Sequence, residues 1–546
     1  MKILVVGGVA AGTKVAAKLK RELGNDGEIT VITKGDYISY AACGLPYYIG
    51  GVIKERASIL EHTPESYSGI TGVDLSTGIE ATKLDRANKK VYAKNVKTGE
   101  ELEYGYDKLV ITTGSRPVAP PIPGFDLENV FTLRDPDDAD KIKAAAESGN
   151  VKRAVIVGGG MIGVEVAENL AGLGIRTSII DMAPHILPGF DGDFADYLEN
   201  ELGEIGIPVF LNDSVQSIEG EGKVEKIRTA NRAIKTDMVI MAVGVRPNTE
   251  WLADSGIELT ERKMVVIDEY FRTNDPDVYS CGDCAMVKNL VTKQDQWTPM
   301  GSSANVEGRL LAKSVAGKAT HGFDGVLQTI VLQLPTIRAG KTGLGIDAAK
   351  AAGIDAEHVT ITCYDKAKFF PGMEHFTIRM VAEKGTRRLI GLQVLGKGNV
   401  DKIVDVAVTA ISLGANLDQF DGMDFAYSPP FSTPIHPFAL AANALQNKMD
   451  GELVGDTFEA LDIDDGWTVL DVGKTQVIPQ LRHVAVDSIK GEIPGVDKDA
   501  KIALICMEGK NSYMAQNRMK NVGYSNVAVV EGGTVFNNRM EEKYKI

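Results

Sequence analysis

Arg153-Ala154-Val155-Ile156-Val157-Gly158-Gly159-Gly160-Met161-Ile162-Gly163 is the stretch that decides how this chain folds. A short β-branched run enters a glycine turn, and an Ala/Leu-rich helical stretch follows to Leu173. This is a strand–turn–helix unit. Such a turn lets the backbone approach a pyrophosphate closely, and the unpaired N–H groups of the helix N-terminus stabilise its charge. The next strand, Thr177 to Ile180, ends at Asp181, about 20 residues on, where a carboxylate accepts from ribose hydroxyls and repels a 2′-phosphate. Gly158, Gly160, Ile162, Gly163, Asp181 and Gly244 are therefore expected to line an NADH site.

A second unit of this kind opens the chain, from Lys2 to Leu23, with the turn Gly7-Gly8-Val9-Ala10-Ala11-Gly12. Val9 replaces the middle glycine, and the strand that follows ends Val31-Ile32-Thr33, without an acid for a ribose. Two such units imply two nucleotide sites, one domain inserted into the other. The helical part carries Lys14, Lys18 and Arg21 at i, i+4, i+7 on one face, with Val15, Leu19 and Leu23 on the core-facing side. That basic face suits phosphates, or is a solvated face.

The 546 residues suffice for about three to four domains. A formal net charge of -15 argues against general binding to nucleic acid or an anionic membrane. No run of about 18 apolar residues suggests a membrane span, and the opening strand reads as core, not as a signal peptide. Five cysteines, at 43, 281, 284, 363 and 506, fit a reducing cytoplasm. From about Gln328 to Leu445, strand-like segments such as Val359 to Tyr364 and Phe376 to Val381 precede helices, as in an α+β interface domain. Residues 446–458 are polar and read as a linker to a small α/β module.

Two further strand–turn segments complete a constellation: Leu109-Val110-Ile111-Thr112-Thr113-Gly114, and Thr273 to Asp283 with Cys281-Gly282-Asp283 at its end. With the two glycine turns, in this order, residues 1–445 resemble the pyridine nucleotide–disulfide oxidoreductase family. The resemblance implies FAD on Gly7, Gly8, Ala10, Ala11, Gly12, Thr33, Lys34, Thr113, Gly114, Gly282 and Asp283, the aspartate on the ribitol chain. It implies NADH on the middle turn. Cys281 and Cys284 have metal-pair spacing, but Gly282 and Asp283 between them belong to the flavin segment, so no metal is expected.

Ser39-Tyr40-Ala41-Ala42-Cys43-Gly44-Leu45-Pro46-Tyr47 supplies one cysteine with no second one four or five residues on. A lone cysteine beside a flavin works through a thiolate, mixed disulfide, persulfide or sulfenic acid. The segment resembles the single-cysteine branch, which includes coenzyme A disulfide reductases, NADH oxidases and NADH peroxidases. Oxidases and peroxidases usually have His where Ala10 stands, which favours the disulfide reductase side. The resemblance implies a coenzyme A contact by Lys14, Lys18, Arg21, Ser39 and Ala42. It also implies a proton donor from a partner subunit, Tyr427 in Ala426-Tyr427-Ser428-Pro429-Pro430, and hence a homodimer. Phe369 and Phe370 stand where tyrosines are expected.

Near the end, Ile502 to Ile505 delivers Cys506 into Met507-Glu508-Gly509-Lys510-Asn511-Ser512, with a helix expected from Tyr513. Backbone N–H groups there would stabilise a thiolate or persulfide. Residues 459–546 resemble a rhodanese domain, with Trp467 to Val472 as its early strand, although Gly473 and Asn511 replace usual arginines.

The expected fold class is α/β: two Rossmann-like FAD- and NAD-binding domains, an α+β dimerisation domain and a C-terminal rhodanese-like α/β domain. The expected boundaries are 1–118 with 246–327 for FAD, 119–245 for NADH, 328–445 for dimerisation, 446–458 for the linker and 459–546 for the rhodanese-like domain. The expected function is NADH-dependent reduction of persulfide, polysulfide or coenzyme A disulfide at Cys43, with sulfane sulfur from Cys506 and coenzyme A as a candidate ligand. An NADH oxidase or peroxidase, and a sulfur carrier with a silent flavin part, are the alternatives.

Overall fold

The β-branched runs that lead into the two glycine turns become strands buried in parallel sheets, because helices cover both faces of such sheets. The computed structural model describes residues 1–464 and 466–537, in two compact units. The first comprises Met1–Leu187 and Leu202–Val326; the second comprises Pro188–Glu201 and the chain from Leu327 onward.

The first unit holds two five-stranded parallel sheets. In one, the strand Lys2–Val6 lies between Glu28–Thr33 and Lys108–Ile111, with Val278–Ser280 and Asp74–Thr77 at the edges. The helix Ala10–Leu23 buries Val15 and Leu19 completely against it, and Leu23 partly, as the spacing predicts. In the other sheet, Arg153–Val157 lies between Arg176–Ile180 and Met238–Met241. The short strands Ser115–Pro117 and Val245–Pro247 pair antiparallel where the chain passes between these halves.

The second unit contains a five-stranded antiparallel sheet, in the order Ile330–Gln333, Arg338–Gly343, Leu389–Gly396, His375–Glu383, Ala356–Tyr364. Arg379 is buried on it and held by Asp191 at 3.1 Å and Asp193 at 2.6 Å, so its charge is paired rather than stranded. A separate five-stranded parallel sheet follows, ordered Gly455–Asp456, Val527–Val530, Lys501–Ile505, Trp467–Asp471, Arg482–His483.

The expected linker over 446–458 is corrected. Gln446 to Met449 form the last turn of the helix Pro437–Met449, whose buried stripe is Phe438, Ala441, Ala442 and Leu445. Their polarity does not mark a spacer: all four are half-buried, and Lys448 is ion-paired with buried Glu531. Gly455–Asp456 is an edge strand of the parallel sheet, and a Cβ at Gly455 would strike the Val529 carbonyl. Contacts between the two sheets leave no free spacer. Thr360 N–H donates to Glu531 at 2.8 Å, Thr362 Oγ1 donates to the Gly532 carbonyl at 2.8 Å, and Lys448 meets Glu531 at 2.8 Å. These bonds cover the edge strand Ala356–Tyr364, which would otherwise invite pairing with another chain. Of the expected C-terminal domain, Asp465 and 538–546 lie outside the described residues.

Candidate active sites

The two glycine turns are built alike. Gly7 has φ +120°, and a side chain there would collide with the Thr112 carbonyl; at Gly12 it would collide with the Gly7 carbonyl. In the second turn Gly158, at φ +108°, faces the Ala242 carbonyl, and Gly163 faces the Gly158 carbonyl. Each turn thus needs glycine where helix and strand close in. The ribose ends differ. Asp181 accepts from Gly159 N–H at 2.6 Å and from Ala183 N–H at 2.8 Å, so its carboxylate is fixed at the mouth of the second turn. Thr33 packs its methyl against Gly8 and is buried, and Lys34 pairs with Glu80 at 2.9 Å on the surface. Ala10 begins the first helix, with Ala11 buried in its first turn; Ile162, in the first turn of the helix Met161–Gly172, stays exposed. Gly160 caps that helix, and Gly244, at φ +100°, accepts from Val118 N–H at 2.9 Å.

The distant flavin segments converge on the first turn. Gly282, at φ +77°, lies against Ala11, and Gly114 has φ +65°. Thr113 Oγ1 donates to the Asn248 carbonyl at 2.6 Å. Asp283 accepts from Ser115 Oγ at 2.8 Å, while its carbonyl accepts from Trp297 Nε1 at 2.8 Å. Glu307 was missed from sequence. It is 2% exposed, accepts from Gly282 N–H at 2.7 Å, and desolvation raises its carboxyl to about 7. It is an acid on the buried stripe beside Ala304, Gly308 and Leu311, the one trace it leaves in the sequence. Glycine turns, a parallel-sheet crevice and the oriented Asp283 fit a flavin dinucleotide, and the second turn fits a nicotinamide dinucleotide.

Cys43 sits in a short 3₁₀ turn, Ala42–Gly44, that leads into the helix Leu45–Ile49. The turn is tied to the flavin end, because Ser39, at φ +45°, donates its N–H to the Gly8 carbonyl at 3.2 Å. Cys43 and Ala42 keep exposed faces. Desolvation of the sulfur, then the charges of Glu165 and Asp283, push its thiol up. Glu165 is a second residue that sequence reasoning missed. It comes from the helix Met161–Gly172, accepts weakly from Tyr47 Oη at 3.5 Å, and burial raises it to about 7. Desolvation and the same Glu165 push Tyr47 up to about 12.

The basic face of the first helix is smaller than expected. Lys14 and Arg21 are exposed, but Lys18 is ion-paired with Glu22, one turn on. Lys318 reaches Glu22 at 3.1 Å as well, and the two lysines hold that carboxyl down at about 2. Cys281 and Cys284 are free and fully buried, Cys284 donating to the Ile111 carbonyl at 3.6 Å. Burial raises Cys363 to about 12.

In the second unit Cys506 follows the central strand Lys501–Ile505 and is 2% exposed. Gly509 N–H donates to its sulfur at 3.2 Å. Gly509 has φ +86° and caps the helix Lys510–Asn521, which starts three residues before the expected Tyr513. The earlier start places Lys510, Asn511 and Ser512 in the first turn under the sulfur's loop. Thr534 N–H donates to the Cys506 carbonyl at 3.0 Å. Within this unit, Glu508 of the loop accepts from Tyr364 Oη and lies 3.5 Å from His375, both on the antiparallel sheet. Those two partners and Lys368 hold the Glu508 carboxyl down against its burial. Tyr427 is exposed at 47%, as are Phe369 and Phe431 at 78% and 71%. Phe370 is half-buried. The 366–372 and 428–431 segments meet where Ala367 N–H donates to the Pro429 carbonyl at 3.3 Å.

Two parallel sheets that each carry a dinucleotide-type glycine turn, a lone exposed cysteine ahead of a short helix and a separate antiparallel sheet are the architecture of a two-nucleotide oxidoreductase. The chain belongs to the pyridine nucleotide-disulphide oxidoreductase family: residues 1–304 match that family's model and 332–437 match its dimerisation domain. It is an enzyme of the class that uses FAD and NAD(P)H. It is 33% identical over 83% of its length to the whole of a Methanocaldococcus jannaschii protein named NADH oxidase. The solved structure of reduced Bacillus anthracis CoADR-RHD superposes with a TM-score of 0.94 at 32% identity, covering 100% of this chain and 98% of that one. A NAD-dependent persulfide reductase from A. fulgidus superposes with a TM-score of 0.93 at 33% identity, covering 98% and 100%. Among the described residues no helix is long and apolar enough to cross a membrane.

Proposed function

We propose that this enzyme uses NADH to reduce persulfide, polysulfide or coenzyme A disulfide bonds at Cys43, with sulfane sulfur supplied by Cys506 of a rhodanese-like C-terminal domain. The observation that carries this reading is a pair of differently built cysteines in a chain similar over its whole length to a persulfide reductase. For a persulfide the balance is RSSH + NADH + H⁺ giving RSH + H₂S + NAD⁺. FAD, when bound, supplies the two-electron relay between NADH and sulfur. Gly7, Gly12, Gly282 and Asp283 hold it, Gly158, Gly163 and Asp181 hold NADH, and Ser39 ties the Cys43 turn to the flavin loop.

Cys43, as thiolate, attacks the substrate S–S bond and forms a mixed disulfide while the leaving sulfur takes a proton. Glu165, with a carboxyl poised near 7, is positioned to exchange protons beside it. Lys14 and Arg21 are candidates for the phosphates of coenzyme A. The homodimer rests on the dimerisation domain and on the exposed Phe369, Tyr427 and Phe431, an apolar surface that a second copy would cover. In it Tyr427 donates a proton across the interface. Cys506 holds a sulfane sulfur on the Gly509 N–H at the helix N-terminus.

A second reading is an NADH oxidase, favoured by the relative of that name, with Cys43 cycling through sulfenic acid. Ala10 in the first turn argues for sulfur chemistry. Anaerobic NADH consumption with polysulfide, coenzyme A persulfide and coenzyme A disulfide, set against oxygen consumption without them, separates the readings. Sulfide release with NADH preferred over NADPH in kcat/KM is expected, and oxygen uptake with no sulfide release would overturn the proposal.

A further inference from the structure

Beside the antiparallel sheet and its loops lies an open cleft of about 180 Å³, which shares Phe431 with the surface proposed above to meet a second copy. Its wall carries four cations, Arg338, Lys366, Lys397 and Lys402, against two carboxylates, Asp365 and Glu374. Asp365 is already engaged by Lys366 at 3.4 Å and by Glu374 N–H at 2.8 Å. His436 also lines the cavity and stays neutral, because burial and then Lys402 lower it to about 4. The wall is therefore positive on balance, with Lys397 exposed and Arg338, Lys366 and Lys402 half-buried.

The helix Val400–Ser412 begins at this wall, and the Asn399 side chain does not cap it. Thirteen residues give it a full dipole, positive at this end. Arg338 Nη1 donates to the Gly398 carbonyl at 3.2 Å, which steadies the guanidinium beside the helix start. Independently, Ser432 on the facing segment is 1% exposed, and its Oγ has no hydrogen-bond partner. A buried hydroxyl without a partner, in a cavity of this sign, marks a missing acceptor. The volume is below the range of roughly 300–1,000 Å³ that encloses whole organic cofactors.

We infer that this cavity binds one phosphate-sized oxyanion, with Lys397, Lys402 and Arg338 supplying charge and Ser432 and the helix N-terminus donating hydrogen bonds. The oxyanion is a phosphate group, free or carried by a phosphorylated thiol. Neither Cys43 nor Cys506 lines the cleft, and the test reads binding rather than turnover, so its failure is distinguishable from failure of the proposed function.

Isothermal titration of the FAD-loaded enzyme, at constant ionic strength in chloride, would use two probes, inorganic phosphate and coenzyme A. Wild type, Lys402→Gln and Ser432→Ala are compared, with far-UV circular dichroism and FAD content checking the fold. Saturable phosphate binding that weakens about tenfold in Lys402→Gln and about threefold in Ser432→Ala is expected for a free anion. The same losses seen with coenzyme A alone assign the phosphate to the thiol. No saturable binding of either probe, or equal binding in wild type and variants, overturns the inference. If Lys402→Gln fails to fold, Ser432→Ala decides alone, since it removes one oxygen.

Discussion

Cys43 and Cys506 are both thiols delivered by turns ahead of helices, yet their surroundings differ. Cys43 keeps an exposed face and looks toward Glu165 and Asp283, which disfavour its anion. Cys506 is sealed at 2% exposure and accepts an N–H from Gly509 at the head of a twelve-residue helix. One sulfur sits where desolvation and neighbouring carboxylates raise its thiol. The other is buried and meets one backbone N–H at a helix N-terminus, the contact on which its proposed sulfur-holding role rests. The difference teaches that a cysteine's job is set by what faces the sulfur, not by the local Cys-Gly or Cys-x-x-Gly string.

The comparison can be broken most decisively at Cys43. Cys43→Ser is expected to lower NADH-dependent sulfide release by about 10³-fold or more, because the covalent route is gone. Anaerobic bleaching of the flavin by NADH should remain, read at its visible absorbance band. Cys506→Ser should abolish sulfur transfer from thiosulfate to cyanide while changing NADH turnover of preformed coenzyme A disulfide by less than about twofold. Parallel loss of both activities would mean that the two cysteines are not independent.

Two intermediate effects sharpen each side. Tyr427→Phe should slow sulfide release by about 10²-fold with flavin content unchanged, the scale of a lost proton donor. Unchanged turnover would remove it from the reaction. Glu508→Gln weakens the charged bonds from Tyr364 and His375 that hold the Cys506 loop. A loss of about 1–2 kcal/mol, or roughly five- to thirty-fold in sulfur transfer, is expected, with NADH turnover of coenzyme A disulfide unaffected.

The smallest effect is electrostatic. Glu165→Gln removes a charge facing Cys43, so the midpoint pH of Cys43 alkylation, followed by peptide mass spectrometry, should fall by about half to one unit. Its own titration has a definite sign. The folded carboxyl sits at about 7 against an ordinary value of 4.5, raised by burial, so the folded state holds the extra proton between those values. The group's contribution to stability is full below pH 4.5 and is lost as pH rises through 7. Glu165→Gln should flatten urea-unfolding stability over that window, and an unchanged slope would place Glu165 in water instead.

Much of the flavin and nicotinamide architecture was legible because glycine turns report steric necessity. Gly7, Gly12, Gly158 and Gly163 each face a carbonyl that a side chain would strike. Cys43 was legible from the segment Ser39 to Tyr47, which offers no second cysteine, and Cys506 because it ends the apolar run Ile502 to Ile505 ahead of a glycine-containing loop. Glu165 and Glu307 were not, because an acid on a helix usually faces water, and only packing turned these two inward. Lys18 read as part of a phosphate-binding face, yet Glu22 sits at the spacing that neutralises it. Polar residues 446–449 read as linker, because a helix's half-buried polar turn and a spacer share a composition.

The sequence by itself determined the order of the units, the two dinucleotide turns, the lone Cys43 without a local partner, and the terminal cysteine loop. Those features are local: backbone sterics and short-range periodicity fix them. Only the tertiary structure decided the electrostatic surroundings of Cys43, the fastening of Glu508 to Tyr364 and His375, and the charged cavity around Ser432. Each joins groups far apart in the chain, and a carboxylate's proton affinity depends on burial and neighbours that no local string encodes.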